Sequence, residues 1–341
     1  MKTKPLEVDF LILGQGLAGS CLALLLHLEG HSVQIMAHSD QPRASEKAVG
    51  LVNPVTGRRM AQTWNFDEIF PYSFHFYQRV FGVLNRGRDG SYLEEKPIFK
   101  ALHSVEEMNF LTGKSSNLGY DDLLDIRSTD GYPVPVVFDN TVAWCRIAKG
   151  GRMNPLPFLQ DARSYFDLNE MFTNDLFEKE TLVRSAGFWH YKDIKARNVI
   201  SCLGMGCPWK AEDMWPVKGQ VYELDGLPDF GDAILKTEKF LVPGDNGAIL
   251  AGSTYEREFS HNDPDEAGFN EITQDIKPEL RAKMTVRSSW TGIRPTTKDR
   301  RPIIEKLEDG LYALNGLGAK GVTLAPWSAS QLIKKMLNEQ G

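Results

Sequence analysis

A glycine-rich turn near the N terminus constrains the fold of this chain more than any other feature. Val8–Leu13 is a short apolar run, typical of parallel strands that are buried on both faces. The sequence G-Q-G-L-A-G follows at 14–19, and Leu17–Glu29 is then almost continuously apolar, which predicts a buried helix that ends at Gly30. Because Ser32–Met36 predicts a second strand, the chain opens as a βαβ unit.

The three glycines of this turn each have a mechanical role in dinucleotide binding. Gly14 allows the tight turn off the strand, Gly16 lets the backbone approach a pyrophosphate, and Gly19 lets the helix pack close to the sheet. The helix N terminus adds free amide donors and a partial positive charge. The pattern therefore predicts a dinucleotide site, against the simpler alternative of a glycine-rich packing turn.

This fingerprint lacks one of its usual parts. An acidic residue about 20 positions further on should bind the ribose hydroxyl, but the end of the predicted second strand holds Ala37, followed by His38. Either Asp40 or the backbone takes this role, or the adenosine end is held differently. Ala37 with Arg43 nearby also suits a 2′-phosphate, which keeps an NADP-dependent dehydrogenase open as an alternative.

The composition is that of an ordinary globular enzyme. The chain has 341 residues, enough for two domains, with 42% hydrophobic and 25% charged residues. A formal net charge of −6 argues against a nucleic-acid surface, so no nucleic-acid partner is expected. The four cysteines lack metal-site spacing, and we interpret them as reduced thiols of a cytoplasmic protein without a metal site. No apolar run is long enough for a membrane span.

Segments of βαβ type alternate along the chain with strand-rich segments. This order predicts an α/β protein with two domains that are each discontinuous in sequence. The predicted nucleotide-binding domain comprises 1–75, 141–215 and 290–341, and the predicted substrate domain comprises 76–140 and 216–289.

A second informative segment lies near the C terminus, at 291–326. It reads T-G-I-R-P-T-T-K-D-R-R-P-I-I-E and, after a spacer, L-Y-A-L-N-G-L-G-A-K-G-V-T-L-A-P. Glycines at 316, 318 and 321 let the chain pass close to a cofactor. Pro326–Leu337 predicts a closing helix.

Five segments together resemble the D-amino acid oxidase-like FAD-dependent oxidoreductases, the group that contains glycine oxidase and sarcosine oxidase. They are G-Q-G-L-A-G (14–19), A-S-E-K-A-V-G-L-V-N-P (44–54), A-R-N-V-I-S-C-L-G-M-G (196–206), P-V-K-G-Q-V (216–221) and the 291–326 segment. The resemblance implies FAD on a glutathione-reductase-like Rossmann domain, covered by an α+β substrate domain built on an antiparallel sheet. It also implies oxidation of the C–N bond of an amino acid or amine by hydride transfer to flavin N5. Imine hydrolysis and flavin reoxidation, by oxygen or another acceptor, would follow.

The same resemblance assigns candidate substrate residues. Arg294 matches the arginine that binds the substrate carboxylate in amino acid and glycine oxidases, a task that suits a planar guanidinium, although a domain-interface ion pair is the simpler alternative. Lys320 matches a carboxylate-binding lysine of the sarcosine oxidases. Gly292 stands where those enzymes carry the flavin-linking cysteine, so noncovalent FAD is expected. Arg58 and Tyr255 are further candidates for the substrate cavity, against ordinary surface and strand-end positions.

The residues expected to contact the cofactor come mostly from these five segments. They are Gly14, Gly16, Leu17, Ala18, Gly19, Ala37, His38, Ala44, Ser45, Gly50, Val183, Gly204, Gly206, Gly292, Arg294, Gly316, Gly318, Ala319, Lys320, Gly321, Val322 and Thr323.

Three other functions remain open from the sequence. The Ala-Ser…Gly loop at 44–50 also resembles the flavin half of a bifunctional tRNA wobble-uridine modification enzyme. An NADP-dependent dehydrogenase would leave the 291–326 segment unexplained. The third alternative is a catalytically inactive flavoprotein, which is suggested by the missing acidic residue at Ala37.

Overall fold

The computed structural model describes residues 5–57 and 59–338 of the chain. The described residues contain seven α-helices: α1 (Leu17–Leu28), α2 (Phe66–Leu84), α3 (Val105–Ser115), α4 (Pro155–Leu168), α5 (Glu266–Thr273), α6 (Pro278–Arg281) and α7 (Gly321–Asn338). Their strands, in chain order, are β1 (Leu6–Leu13), β2 (Val33–Ala37), β3 (Leu51–Val52), β4 (Val55–Thr56), β5 (Ala61–Gln62), β6 (Glu94–Glu95), β7 (Ile98–Leu102), β8 (Leu124–Ser128), β9 (Ala143–Ile147), β10 (Gly151–Arg152), β11 (Phe172–Asn174), β12 (Val183–Ser185), β13 (Phe188–Tyr191), β14 (Ile194–Ser201), β15 (Met214–Asp225), β16 (Ile234–Lys236), β17 (Phe240–Pro243), β18 (Ile249–Gly252), β19 (Thr285–Thr297), β20 (Ile303–Glu308) and β21 (Leu311–Asn315). Within this described part, no helix combines the length and apolarity needed to span a membrane.

The first large sheet contains the predicted βαβ opening. Its strands lie in the order β11-β2-β1-β14-β13-β12, with β21 paired to β14 and β20 paired to β21. The pairs of β1 with β2, β1 with β14, β2 with β11 and β14 with β21 are all parallel. Helix α1 is buried over most of its length because it packs between this sheet and α7. The predicted α/β fold is therefore confirmed.

The second large sheet has the order β19-β15-β18-β17-β16-β7-β9-β8. Its pairs are antiparallel in the described chain, except for the parallel pair of β16 with β7. One face contributes to the large core shared with α1 and α7, and the other packs against α5. Strand β9 pairs with β7 and β8 here, although the predicted division assigned 141–215 to the nucleotide-binding domain. The division into domains otherwise stays a prediction.

Helix α7 begins at Gly321, whereas the sequence predicted that it would begin at Pro326. Proline has no N–H, so the carbonyl of Val322 loses its usual donor inside the helix. The hydroxyl of Tyr77 donates to the Val322 carbonyl at 2.9 Å, and the hydroxyl of Ser73 donates to the Thr323 carbonyl at 2.6 Å. Both donors lie on α2, so packing against α2 lets the helix continue through the proline.

Candidate cofactor and substrate site

A cavity of about 690 Å³ lies where the loops of the first sheet meet the second sheet. Its lining comes from the turns that follow β1, β2, β14 and β21, from the loop at 41–51, and from strands β15, β17 and β19. The carboxyl ends of parallel strands are where α/β sheets bind nucleotides. Most of the predicted cofactor residues line it: Gly14, Gly16, Leu17, Ala18, Ala37, His38, Ala44, Ser45, Gly50, Gly204, Gly206, Gly292, Arg294, Gly318, Ala319, Gly321 and Val322.

The glycine-rich turn has the geometry that its pattern predicted. Gly14 has a φ of +101°, and a Cβ there would lie 2.5 Å from the carbonyl oxygen of Cys202. A Cβ at Gly19 would lie 1.9 Å from the Gly14 carbonyl oxygen, so α1 packs too close to the turn for any side chain at that position. The amide of Leu17 donates to the Ser45 hydroxyl at 3.1 Å. The loop at 44–50 thus lies at the N terminus of α1, the end that favours a pyrophosphate.

The loop at 44–50 is fixed by its last residue. Gly50 has a φ of +79°, and a Cβ there would lie 1.5 Å from the carbonyl oxygen of Met153. The amide of Met153 also donates to the Gly50 carbonyl at 3.1 Å. This backbone contact needs a glycine, and it holds the loop along one wall of the cavity.

The ribose end of the predicted site contains no acidic side chain from the described residues in its lining. Ala37 and His38 line the cavity, whereas Asp40 does not, and the Asp40 amide donates to Nδ1 of His38 at 3.2 Å. Arg43 lines the cavity, but its guanidinium already pairs with Glu46 at 2.7 Å. This pair weakens the case for a 2′-phosphate at Arg43.

Arg294 places a cation at the wall formed by the second sheet. Its side chain, on β19, crosses Gly219 of β15, where a Cβ would lie 1.9 Å from Nη2. Nη2 donates to the Ser253 hydroxyl at 2.7 Å, and Nη1 donates to the Thr254 carbonyl at 3.2 Å. Burial lowers the pKa of Arg294, although a guanidinium stays charged in proteins. No ion pair in the described chain includes it, so its charge is available to an anion in the cavity.

The other two catalytic candidates that the structure describes are not found in the cavity lining. Nζ of Lys320 donates to the Thr63 hydroxyl at 3.2 Å, and Lys320 is not part of the cavity lining. Burial, and then the charge of Arg300, lowers the pKa of Lys320. Tyr255 is 42% exposed and also lies outside the lining. Arg58 falls outside the described residues.

Besides Lys320, four predicted cofactor residues do not line the cavity. Gly19 packs against the turn, and the Thr323 hydroxyl donates a hydrogen bond to the Lys320 carbonyl at 3.2 Å. Gly316 has a φ of +71°, and a Cβ there would meet the Thr297 side chain at 2.6 Å. The structure does not bring Val183 to the cavity. Val183 is 55% exposed on β12, an edge strand that β13 separates from the nucleotide-binding end of β14.

Sequence reasoning missed the residues that hold Arg294 in place. Ser253 and Thr254 reach it because β18 pairs with β15, a long-range register that no local pattern reveals. Gly219 lay within one of the five segments but received no role. Phe240 also lines the cavity and carried no sequence signal. Among the described residues, no group of His, Cys, Asp and Glu is placed to hold a metal ion.

Comparison with known proteins identifies the family. Residues 9–334 match the model of the DAO family, FAD dependent oxidoreductase. An uncharacterized oxidoreductase of Bacillus subtilis, YurR, is 23% identical, with 97% of this chain and 95% of that protein covered. The bifunctional protein MnmC of Maricaulis maris, of tRNA 5-methylaminomethyl-2-thiouridine biosynthesis, is 27% identical over 96% of this chain. The chain spans 51% of the length of MnmC.

A solved structure shows the same fold. Glycine oxidase from Bacillus cereus superimposes with a TM-score of 0.78 at 19% identity, covering 98% of this chain and 96% of that one. This chain belongs to the DAO family of FAD-dependent oxidoreductases. It has the glutathione-reductase-like α/β fold that the resemblance implied, with a second sheet that is antiparallel except for the pair of β16 with β7.

The cavity fits the cofactor of this family. Gly14 and Gly50 line the cavity at positions where a Cβ would strike backbone atoms, so the turn and the neighbouring loop present backbone rather than side chains to a ligand. The turn and Ser45 would hold the pyrophosphate, and the segments around Gly292 and Gly318 would lie along the rest of FAD.

Proposed function

We propose that this protein oxidises the C–N bond of an amino acid, or of a secondary amine that carries a carboxylate, with noncovalently bound FAD. The observation that carries the proposal is Arg294, a cavity-lining cation without a carboxylate partner in the described chain. A planar guanidinium binds a carboxylate through two parallel hydrogen bonds, which fixes the orientation of the substrate as well as its position.

The surroundings of Arg294 support this role. Ser253 and Thr254 accept hydrogen bonds from its two terminal nitrogens, so the guanidinium plane is fixed before any substrate arrives. Preorganised groups of this kind lower the entropic cost of orienting a substrate. The backbone at Gly219 passes directly beneath the guanidinium, which keeps that space free of side chains.

The chemistry divides between cofactor and protein. FAD, when bound, supplies the acceptor for the two electrons removed from the substrate. The protein binds the carboxylate at Arg294 and so places the carbon that bears nitrogen towards the cavity. Loss of a hydride from this carbon of a neutral amine gives an iminium ion, and water hydrolyses this ion to a carbonyl compound, an amine or ammonia, and a proton. Oxygen or another acceptor then completes the turnover.

Gly292 and the cysteines support noncovalent attachment. Gly292 offers no nucleophile, and a Cβ there would lie 3.1 Å from Cβ of Lys47. The four free cysteines are all buried, and although Cys202 lines the cavity, burial raises the pKa of its thiol and keeps it protonated. Acid precipitation of the purified protein should therefore release all of its flavin into the supernatant. Flavin that stays with the precipitate would show that a covalent link exists.

Replacing Arg294 by alanine tests the assignment. The variant should keep its flavin but lose about 100-fold or more in kcat/KM towards carboxylate-bearing amines, since two charge-assisted hydrogen bonds are removed. Arg184 pairs with Asp309 on the first sheet, so R184A is a matched control that should behave as wild type. Turnover by R294A equal to that of R184A would refute the role of Arg294.

A second candidate function is the oxidation of a modified uridine in tRNA. The similarity to MnmC extends over 96% of this chain. Trp64 is 40% exposed, and the Arg301 guanidinium lies 5.1 Å from its ring centroid, a combination that suits base stacking. Retention of tRNA that weakens as salt rises, and that is lost in W64A, would favour this function. If tRNA did not bind in this way, the tRNA function would be rejected and only the amine oxidase proposal would remain.

A further inference from the structure

A lysine lies on the same face of the second sheet as the cavity wall. Lys236 of β16 is directly opposite Phe240 of β17, Phe240 is opposite Gly252 of β18, and Gly252 is opposite Val221 of β15. Residues that face each other across neighbouring strands point to the same side of a sheet. Phe240 and Val221 line the cavity. Lys236 therefore extends the row of side chains that begins at the cavity wall.

Lys236 has no acidic partner in the described chain. None of the ion pairs there includes its ammonium group, and none of the hydrogen bonds does. The residue is partly buried. Burial, and then the charge of Lys100, lowers the pKa of Lys236 to about 8. The other ionisable groups around it are Glu238 and the thiol of Cys145, which act in the opposite direction.

The neighbouring lysine is already neutralised. Lys100 of β7 is directly opposite Lys236, and its ammonium group pairs with Glu107 of α3. Because Glu107 is engaged there, Lys236 is left as the uncompensated cation of the two. An unpaired buried charge costs stability unless an anion joins it.

The strand register gives the approximate separation between Lys236 and the backbone beside Arg294. The guanidinium reaches Ser253, the residue that follows Gly252 on the chain. The row from Gly252 to Lys236 crosses two strand intervals, or about 10 Å. The flexible four-carbon stem of lysine can shorten this gap further.

We propose that Lys236 binds a second carboxylate of the substrate, so that the preferred substrate is an amino or imino dicarboxylate rather than a simple amino acid. This inference rests on the proposed function, in which Arg294 binds the first carboxylate. Lys236 lies beside the cavity lining, next to Phe240, and is then a specificity-determining residue that distinguishes dianionic from monoanionic amines.

The experiment measures binding of non-reactive carboxylates to the FAD-loaded protein, by titration of the flavin absorption spectrum. Succinate, glutarate and adipate are each compared with the monocarboxylate of equal carbon number. Wild type should bind at least one dicarboxylate about tenfold or more tightly than its monocarboxylate. This preference should disappear in K236M and persist in part in K236R, which keeps the charge.

Controls separate the two proposals. Lys195 pairs with Glu7 on the first sheet, so K195M should keep the dicarboxylate preference. Loss of the preference in K195M would overturn the inference, because bulk charge would then explain it. The inference would also be overturned if wild type bound each dicarboxylate and its matching monocarboxylate equally tightly, or if K236M kept the preference for dicarboxylates. K236Q repeats the test if K236M does not fold.

Failure of the proposed function would look different. In that case R294A would bind the monocarboxylates as tightly as wild type, whatever Lys236 does. A different result would keep the proposed function and reject the second carboxylate site. In that result R294A loses monocarboxylate binding, and wild type binds each dicarboxylate and its matching monocarboxylate equally tightly.

Discussion

A methyl group at Gly219 should disable the carboxylate site without removing any charge. In the structure, a Cβ at this position would lie 1.9 Å from Nη2, 2.3 Å from Cζ and 2.5 Å from Nη1 of Arg294. Carbon atoms do not approach nitrogen this closely, so the guanidinium must move by about 1 Å or more. The three nearest atoms all belong to the Arg294 side chain, and no backbone atom is among them. The backbone of β15 can therefore accept alanine.

The size of the effect follows from that displacement. A shift of about 1 Å in a positioning group can cost about 100-fold in rate, equivalent to about 2.7 kcal/mol. Arg294 would also lose its hydrogen bonds to Ser253 and Thr254, so it would no longer be preorganised. We expect G219A to lose about 100-fold in kcat/KM for carboxylate-bearing amines.

The assay is anaerobic flavin reduction in a stopped-flow instrument, with FAD content and thermal unfolding measured on the same preparations. A Cβ at Gly113 of α3 would meet no neighbouring atom within 4 Å, so G113A is the matched glycine-to-alanine control. G113A should reduce its flavin at the wild-type rate. Reduction of G219A within threefold of wild type, at full FAD content, would refute the placement of the substrate carboxylate at Arg294.

Three further predictions concern stability. Y77F leaves the Val322 carbonyl without its donor beside the helix proline, and urea unfolding should show a loss of about 1–3 kcal/mol; no loss would mean that the hydroxyl is not needed there. K218M removes a fully buried ammonium group that lies 3.3 Å from Asp265 and 3.4 Å from Glu256, and the same assay should show a loss of about 3 kcal/mol; an unchanged midpoint would contradict a stabilising role of these ion pairs. The lowered pKa of Lys236 means that the unfolded chain binds more protons between about pH 8 and 10, so wild-type stability should rise with pH relative to K236M over that window, and parallel pH profiles would refute it.

Local patterns were sufficient for the first half of the site. The turn at 14–19 lies between a strand and a helix that are contiguous in sequence, so spacing alone predicted its geometry and the roles of Gly14 and Gly19. The missing acidic residue was also visible, and the structure indeed has no such side chain from the described residues in the cavity lining at Ala37.

The part of the site around Arg294 depends on strand pairing between segments that are distant in sequence. Ser253 and Gly219 meet Arg294 only because β15 lies between β18 and β19, an arrangement that no short segment encodes. The start of α7 was predicted too late because Pro326 is a strong local signal, whereas the compensating hydroxyl of Tyr77 lies far away in sequence. Contacts between distant segments set these features, and a single sequence does not display them.

Visible spectra of the purified protein, recorded before and after anaerobic addition of amino acids, N-methyl amino acids and imino dicarboxylates, test directly whether it is a flavin-dependent amine oxidase. The protein should be yellow, and its flavin bands should bleach with at least one carboxylate-bearing amine and return when air is admitted. A colourless protein that takes up no added FAD, or a bound flavin that none of these compounds reduces, would show that the protein does not oxidise such amines.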